Sequence, residues 1–323
     1  MLSADRRLGF AVKVLGREGL KSHDTRRWQS GPSVAVSIDA LHHILDYLDD
    51  VGIRMYRLSS DFVPYATHPD LPRFHRQIEE HATQLARIGR YARHLDVRLS
   101  LHPSQYVVLN AEDDDIAAKA VRDLDLQAAL LDAMEQGPEA VVVLHVGGVY
   151  GDRAAARERF ARNFARLSEP ARRRLVVEND EFSFTIEDCL WIHAETGAPV
   201  VFDHQHHRLN PGTLDPVTAA HQALDTWPDG VVPKIHFSSP RLDARTVGRG
   251  NRTRLEAPLL RQHADYVDPW TFAHLLDALH DRAFDVMIEA KAKDLAVLKL
   301  RADLAVIGRE SALHAPATEP RRP

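Results

Sequence analysis

The chain has 323 residues, room for one large domain or two, and with 44% hydrophobic and 27% charged residues it has the make-up of a folded globular protein rather than a disordered one. Its formal charge, 41 basic less 46 acidic residues or −5, neither advertises a nucleic-acid partner nor excludes one, because a local basic surface beside an acidic remainder gives the same sum. The single cysteine, Cys189, excludes an internal disulfide framework, and no apolar leader or run of 18 apolar residues is present, so a cytoplasmic protein without membrane contact is expected.

Taken in order, Leu8 to Val14 reads as a strand, and the polar stretch from Gly16 to Ser33 as a surface loop. Ser37 at an N-cap position and the spacing of Leu41, Ile44, Leu45 and Leu48 predict a helix over 37–50. Strands follow at 53–58 and 97–102, separated by a helix over 74–94, and a long helix over 116–136 leads to a strand at 140–145. Gly147 and Gly148 permit a sharp turn before a helix over 153–167. The apolar run into Glu178 is a fifth strand, 186–196 a helix, and Val200-Val201-Phe202-Asp203 a sixth strand. A helix over 216–224, a strand over 231–237, a polar loop over 238–265, a helix over 269–281, a strand over 284–290 and a helix over 294–307 complete eight β/α units. The expectation is one TIM-barrel domain over 1–308 and a disordered tail over 309–323, where Ala, Pro and Arg dominate. A doubly wound open sheet is the alternative arrangement of the same units.

These strands share a form: each apolar run ends in a carboxylate or imidazole. His102, His145, Glu178, Asp203, His206, His236 and Glu289 would meet at the C-terminal mouth of a barrel, where the active site of that fold lies. A lone histidine at a strand end is usually a hydrogen-bonded structural residue, but so many polar groups in one place would be costly to bury without a cation. With 19 histidines against one cysteine, oxygen and nitrogen ligands are expected, enough for two or three divalent ions. His204 and His207 are left out of the set, since donors that orient a ligand, or exposed loop imidazoles, account for them at least as well as ligation does. Lys234, two residues before His236, faces the same side of its strand, so its amine must be neutral, carboxylated or paired with a carboxylate.

Such a centre suits phosphodiester hydrolysis, with ions activating water and stabilising the departing alkoxide. A sugar isomerase or epimerase could use similar parts. The arginines of the 238–265 loop, Arg241, Arg245, Arg249, Arg252, Arg254 and Arg261, favour a polyanionic substrate. A structural metal site in a non-enzymatic protein is disfavoured, because such sites are closed and cysteine-rich.

Several stretches together carry a resemblance. They are Arg7-Leu8-Gly9-Phe10, Tyr56-Arg57-Leu58-Ser59-Ser60 with Pro64 and His68-Pro69, and His102-Pro103-Ser104-Gln105-Tyr106. Leu144-His145-Val146-Gly147-Gly148-Val149-Tyr150-Gly151, Glu178-Asn179-Asp180 and Asp203-His204-Gln205-His206-His207 follow. Leu209-Asn210-Pro211, Pro233-Lys234-Ile235-His236 and Glu289-Ala290-Lys291 complete the set. Along most of its length the chain resembles the UV damage endonuclease family, and it is similar in design to the endonuclease IV family of abasic-site nucleases. The resemblance implies a TIM barrel that nicks duplex DNA immediately 5′ of pyrimidine dimers and 6-4 photoproducts, using a cluster of divalent ions with manganese the usual activator. It implies a monomer that works at the nucleoid. It makes His68, His102, His145, Glu178, Asp203, His206, His236, His263 and Glu289 metal ligands, and Glu178, Lys234 and Glu289 catalytic. His68 and His263 enter the set only through the resemblance. Gln105 and Tyr106 match the lesion-probing pair, and Gly9 and Phe10 a glycine-aromatic pair that contacts the lesion, with phenylalanine here where tyrosine is common.

Overall fold

The structure, a computed structural model, describes residues 6–248 and 250–314. Arg249 of the basic loop and positions 315–323 of the expected tail lie outside the described residues. The central strands are β1 Leu8–Ala11, β2 Met55–Arg57, β3 Arg98–Ser100, β4 Val142–His145, β5 Leu175–Glu178, β6 Val200–Val201, β7 Lys234–Phe237 and β8 Asp285–Ile288. They form a parallel five-stranded sheet, β3-β2-β1-β8-β7, and a parallel three-stranded sheet, β4-β5-β6. Parallel bridges between Leu101 and Val142 and between Asp203 and His236 join the two sheets at both edges, which closes the ring in the order 1 to 8. The expected barrel is therefore the fold.

Its outer ring is α1 Val34–Asp50, α2 Ala82–His94, α3 Asp114–Ala133, α4 Arg153–Phe164, α5 Ile186–Thr196, α6 Pro216–Asp225, α7 Pro269–Ala278 and α8 Lys293–Val306. Asp113, Asp152, Asp215 and Asp268 each cap a helix, the carboxylate accepting N–H groups that lack an intrahelical partner. Each such cap stabilises by about 1 kcal/mol. Among the described residues no helix is long and apolar enough to cross a membrane.

Some boundaries differ from expectation for local reasons. Ser33, not Ser37, caps α1; Ser37 is buried inside the helix, where its hydroxyl accepts from the Asp24 N–H at 3.0 Å. The helix expected over 74–94 is interrupted, because the Gln77 side chain turns back to the Pro64 and Phe74 carbonyls at 2.7 and 3.0 Å. The loop over 238–265 contains two small antiparallel ladders, Arg245–Val247 with Arg254–Glu256 and Pro240–Arg241 with Leu259–His263. Arg241 and Arg245 both reach Glu256, at 3.2 and 3.0 Å, so two of the loop arginines close the ladder rather than face a substrate. The chain also stays on the body beyond 308: Glu310–Leu313 forms a 3-10 turn, and the Leu313 carbonyl accepts the Arg6 N–H at 2.7 Å.

Strand alternation divides the core in two. Leu144, Val177, Phe202, Ile235 and Ile288 pack outward against the helices, whereas Val141, Val143, Val176 and Val201 form a separate cluster with Trp227. The same alternation turns His145, Glu178, Asp203, His236 and Glu289 inward above that cluster. Near the N-terminal ends of the strands, Arg98 and Asp285 form a buried ion pair at 2.8 Å.

Candidate metal centre at the barrel mouth

Glu178, the last residue of β5, is wholly buried and stands in the middle of the mouth. Its Oε1 lies 2.9 Å from His236 Nδ1 and 3.6 Å from His206 Nδ1; its Oε2 lies 3.2 Å from His102 Nε2 and 3.8 Å from His145 Nε2. Glu289 Oε1 is 3.3 Å from His236 Nδ1. Asp203 follows β6 and caps the short helix His204–Leu209, its Oδ1 accepting the His206 N–H at 2.7 Å. That turn brings His206 back over the mouth, with Nδ1 3.0 Å from the Asn179 carbonyl. Asn179 in turn exchanges two hydrogen bonds with the Asp203 backbone, at 2.9 and 3.1 Å, and so locks the ends of β5 and β6 together.

Three overlapping groups have donor atoms all within 4.8 Å of one another: His102, His145 and Glu178; Glu178, Asp203 and His206; Asp203, His236 and Glu289. Glu178 and Asp203 each belong to two of them, as bridging carboxylates do. Buried within the cluster, Asp203 Oδ2, His145 Nδ1, His236 Nε2 and Lys234 Nζ have no hydrogen-bond partner. A purely hydrogen-bonded polar core would not leave these atoms unmet. His102 Nδ1 is 3.0 Å from the Pro103 carbonyl, an arrangement that puts its proton there and leaves Nε2 free to ligate. The donor set therefore fits divalent metal ions of the oxygen- and nitrogen-binding kind.

The electrostatics agree. Burial alone would raise the Glu178 carboxyl, but His236, His145, His102 and His206 outweigh it and hold it well below the usual range. Glu289 is lowered likewise, with burial opposed by Arg57 and His236. Asp203 is raised, chiefly by burial. Burial pushes His102 down to about 4. His206 moves oppositely, to about 11, because Asp203 and Glu178 overcome its burial. Lys234, fully buried on β7, is held well below the ordinary lysine value by burial and then by Arg98 and Arg57.

The two loop histidines fall differently. His263 ends the Leu259–His263 strand with Nδ1 3.9 Å from Glu289 Oε2, at the edge of the cluster. His68 is exposed on the loop after β2, its Nδ1 accepting the Asp70 N–H at 3.2 Å, and belongs to none of the three groups. Sequence reasoning passed over Arg57, whose Nη1 is 2.5 Å from Glu289 Oε1, because its place at the end of β2 does not by itself name a partner.

Gln105 and Tyr106 project from the loop after β3, with Tyr106 81% exposed. A cavity of about 400 Å3 on one side takes in His102, Gln105, His145, Tyr150 and Phe182. Another of about 600 Å3 takes in Tyr65, His68, Tyr106, Lys119 and Arg122. The pair thus forms a ridge beside the metal groups. Gly9 and Phe10 do not share this surface, which corrects the expected lesion contact. Phe10 is fully buried edge-on against Tyr56, with ring centroids 5.4 Å apart. Gly9 is there because a Cβ would stand 2.6 Å from the Met55 carbonyl oxygen on β2.

The chain is 34% identical over 277 residues to a UV DNA damage endonuclease of Bacillus velezensis, covering 84% of this chain and 80% of that one. It is 31% identical over 318 residues to the UV DNA damage endonuclease of Bacillus mycoides, covering 90% and 95%. The crystal structure of SacUVDE superposes with a TM-score of 0.78 at 27% identity, over 94% of this chain and 99% of that one. An L-ribulose 3-epimerase superposes with a TM-score of 0.56 at 16% identity, over 98% and 100%, a likeness of fold alone. The profile of the UV-endonuclease UvdE family matches residues 33–315, and the chain belongs to that family.

Proposed function

We propose that this protein is a DNA repair endonuclease that hydrolyses the phosphodiester immediately 5′ of a UV photolesion in duplex DNA, using two or three divalent ions, manganese first among them. The observation that carries the reading is the chain of three donor groups shared through Glu178 and Asp203, beside an exposed amide and aromatic ridge. When bound, divalent ions supply Lewis acidity toward the scissile phosphate and the attacking water. His102, His145, Glu178, Asp203, His206, His236 and Glu289 hold them, with His263 at the rim. His68 reaches the set only if its loop turns inward. Glu178 and Glu289 carry the negative charge that fixes the ions, and Lys234 brings its side-chain nitrogen to them from within the barrel. Gln105 and Tyr106 probe the stack, since a photolesion lowers the cost of opening it. The barrel, residues 1–308, acts as one catalytic domain, as a monomer in the cytoplasm and at the nucleoid.

The test is direct. Incubated with Mn2+ and a duplex carrying one pyrimidine dimer, the protein should leave a single nick directly 5′ of the dimer, abolished by EDTA. No nick, or nicks scattered equally on undamaged duplex, would refute the reading.

A further inference from the structure

Three cationic residues stand at or just past the C-terminal ends of β1, β2 and β8. Arg57 ends β2 and is joined to Glu289. Lys13 lies just past β1, and Lys293 is the first residue of α8. The two lysine-bearing turns are tied together by Asp294. Its oxygens accept the Leu15 and Gly16 N–H groups at 2.7 Å each, and the Tyr47 hydroxyl at 2.6 Å.

The backbone just before Lys13 and at Lys293 is unusual. Val12 has φ 66°, a left-handed conformation that a β-branched residue rarely adopts. It is held on three sides: its N–H donates to the Arg57 carbonyl at 3.0 Å, the Lys13 N–H closes onto Ala11 at 2.8 Å, and the buried Tyr56 hydroxyl donates to its carbonyl at 2.5 Å. A three-residue turn with positive φ is rare and strained. Lys293 has φ 54° and puts a cation in the first turn of a helix, where the peptide dipoles disfavour it. Strain of this kind gathers at functional sites.

The charges are also unbalanced. Asp294 is fully buried with its oxygens taken by three donors, and Glu289 is shared between Arg57 and His236. Neither Lys13 nor Lys293 forms an ion pair among the described residues. After burial, the influences felt by Lys293 are Arg57 and Lys13, with Glu289 opposing, as expected of neighbours within one cluster.

We propose that Lys13, Arg57 and Lys293 form an anion seat that grips an intact phosphodiester of the DNA, next to the one being cut. The inference rests on the nuclease reading above, because it assigns the seat to the same polyanion. It explains why two strained turns are pinned so firmly at a surface rim: they present fixed positive charge to a backbone that arrives with every substrate, whatever its sequence.

The experiment is equilibrium binding of the dimer-containing duplex in EDTA, followed by fluorescence anisotropy across a salt series. Wild type, Lys13→Ala, Lys293→Ala and the double variant are compared, with Lys→Arg versions as controls. Each lost contact should flatten the plot of log K against log salt by about 0.9, and the double variant by about 1.8, with recovery in the arginine versions. Methylphosphonate placed at one phosphate after another identifies the occupant. At one position neutralisation should weaken wild type but not the double variant. Slopes equal to wild type in folded variants, or no such position, would overturn the seat. The Mn2+ nicking assay separates the two ideas: wild type that nicks at the dimer while all slopes agree refutes the seat alone, and wild type that never nicks refutes the nuclease reading.

Discussion

Glu178→Gln keeps the shape of the central side chain and removes its charge. Glu178 faces His236, His102, His206 and His145 at 2.9, 3.2, 3.6 and 3.8 Å and belongs to two of the three donor groups, so two ions lose a ligand at once. Losing an outer-shell partner of a metal site costs up to about 100-fold in affinity, and a direct carboxylate ligand should cost at least that. With metal at about 1,000 times its Kd, binding stabilises the fold by ~4.1 kcal/mol; a 100-fold loss leaves ~1.4, a difference of ~2.7 kcal/mol per ion. Unfolding entropy of about 2.1 cal/mol/K per residue gives ~0.7 kcal/mol/K for a chain of this length, so the metal-induced rise in Tm should shrink by about 4 °C per ion. The assay is thermal melting in EDTA and in saturating Mn2+, with elemental analysis of the dialysed protein. A Glu178→Gln variant with the wild-type shift in Tm and wild-type metal content would refute the bridging role.

Lys234→Met keeps the length of the buried side chain but removes an unpartnered amine, whose burial costs about 1–3 kcal/mol; the metal-free variant should melt higher while nicking falls tenfold or more. Unchanged nicking would take Lys234 out of the chemistry. Gln105→Ala with Tyr106→Ala should leave stability within about 0.5 kcal/mol, since both side chains are exposed, yet lower the ratio of nicking rates on damaged and undamaged duplex about tenfold. An equal ratio in the double variant and the parent would sink the probing role. For pH, the Asp24 carboxyl is lowered to about 2, first by the Arg26 hydrogen bond and, against burial, by the Ser33 and Arg26 N–H groups. A lowered folded value stabilises above the unfolded value near 4 and is lost as pH falls through 2. The gap in unfolding free energy between wild type and Asp24→Asn should be flat above pH 5 and close toward pH 2. Its ceiling is ~2.4 kcal/mol, and ~1 after screening at the half-exposed Arg26, and a gap that stays constant below pH 3 would contradict this assignment.

What the sequence disclosed was governed by strand phase. His145, Glu178, Asp203, His236 and Glu289 end or follow apolar runs whose alternation leaves no other direction for them, so convergence followed from the ring. His263 could not be read this way, because it reaches the rim through ladders whose strands are three to five residues long or shorter and mostly exposed. Phe10 was misassigned because an aromatic role was transferred without the phase of β1. That phase sends Leu8 and Phe10 into the helix-facing core and Gly9 toward Met55. Arg57 was in view but mute, since an arginine at a strand end has many uses until its partner, 232 residues away, is known.

The bond from the Arg6 N–H to the Leu313 carbonyl has a topological consequence. Arg6 lies just before β1, at the end of the barrel away from the catalytic mouth, and Leu313 is held beside it. A segment joined directly at Arg6 or at Leu313 therefore starts from the face of the barrel opposite the donor groups. Circular permutation is the corollary: a short linker across 6 and 313, with new ends cut in the exposed turn at 228–230, should give a barrel that still folds and keeps its donor groups together.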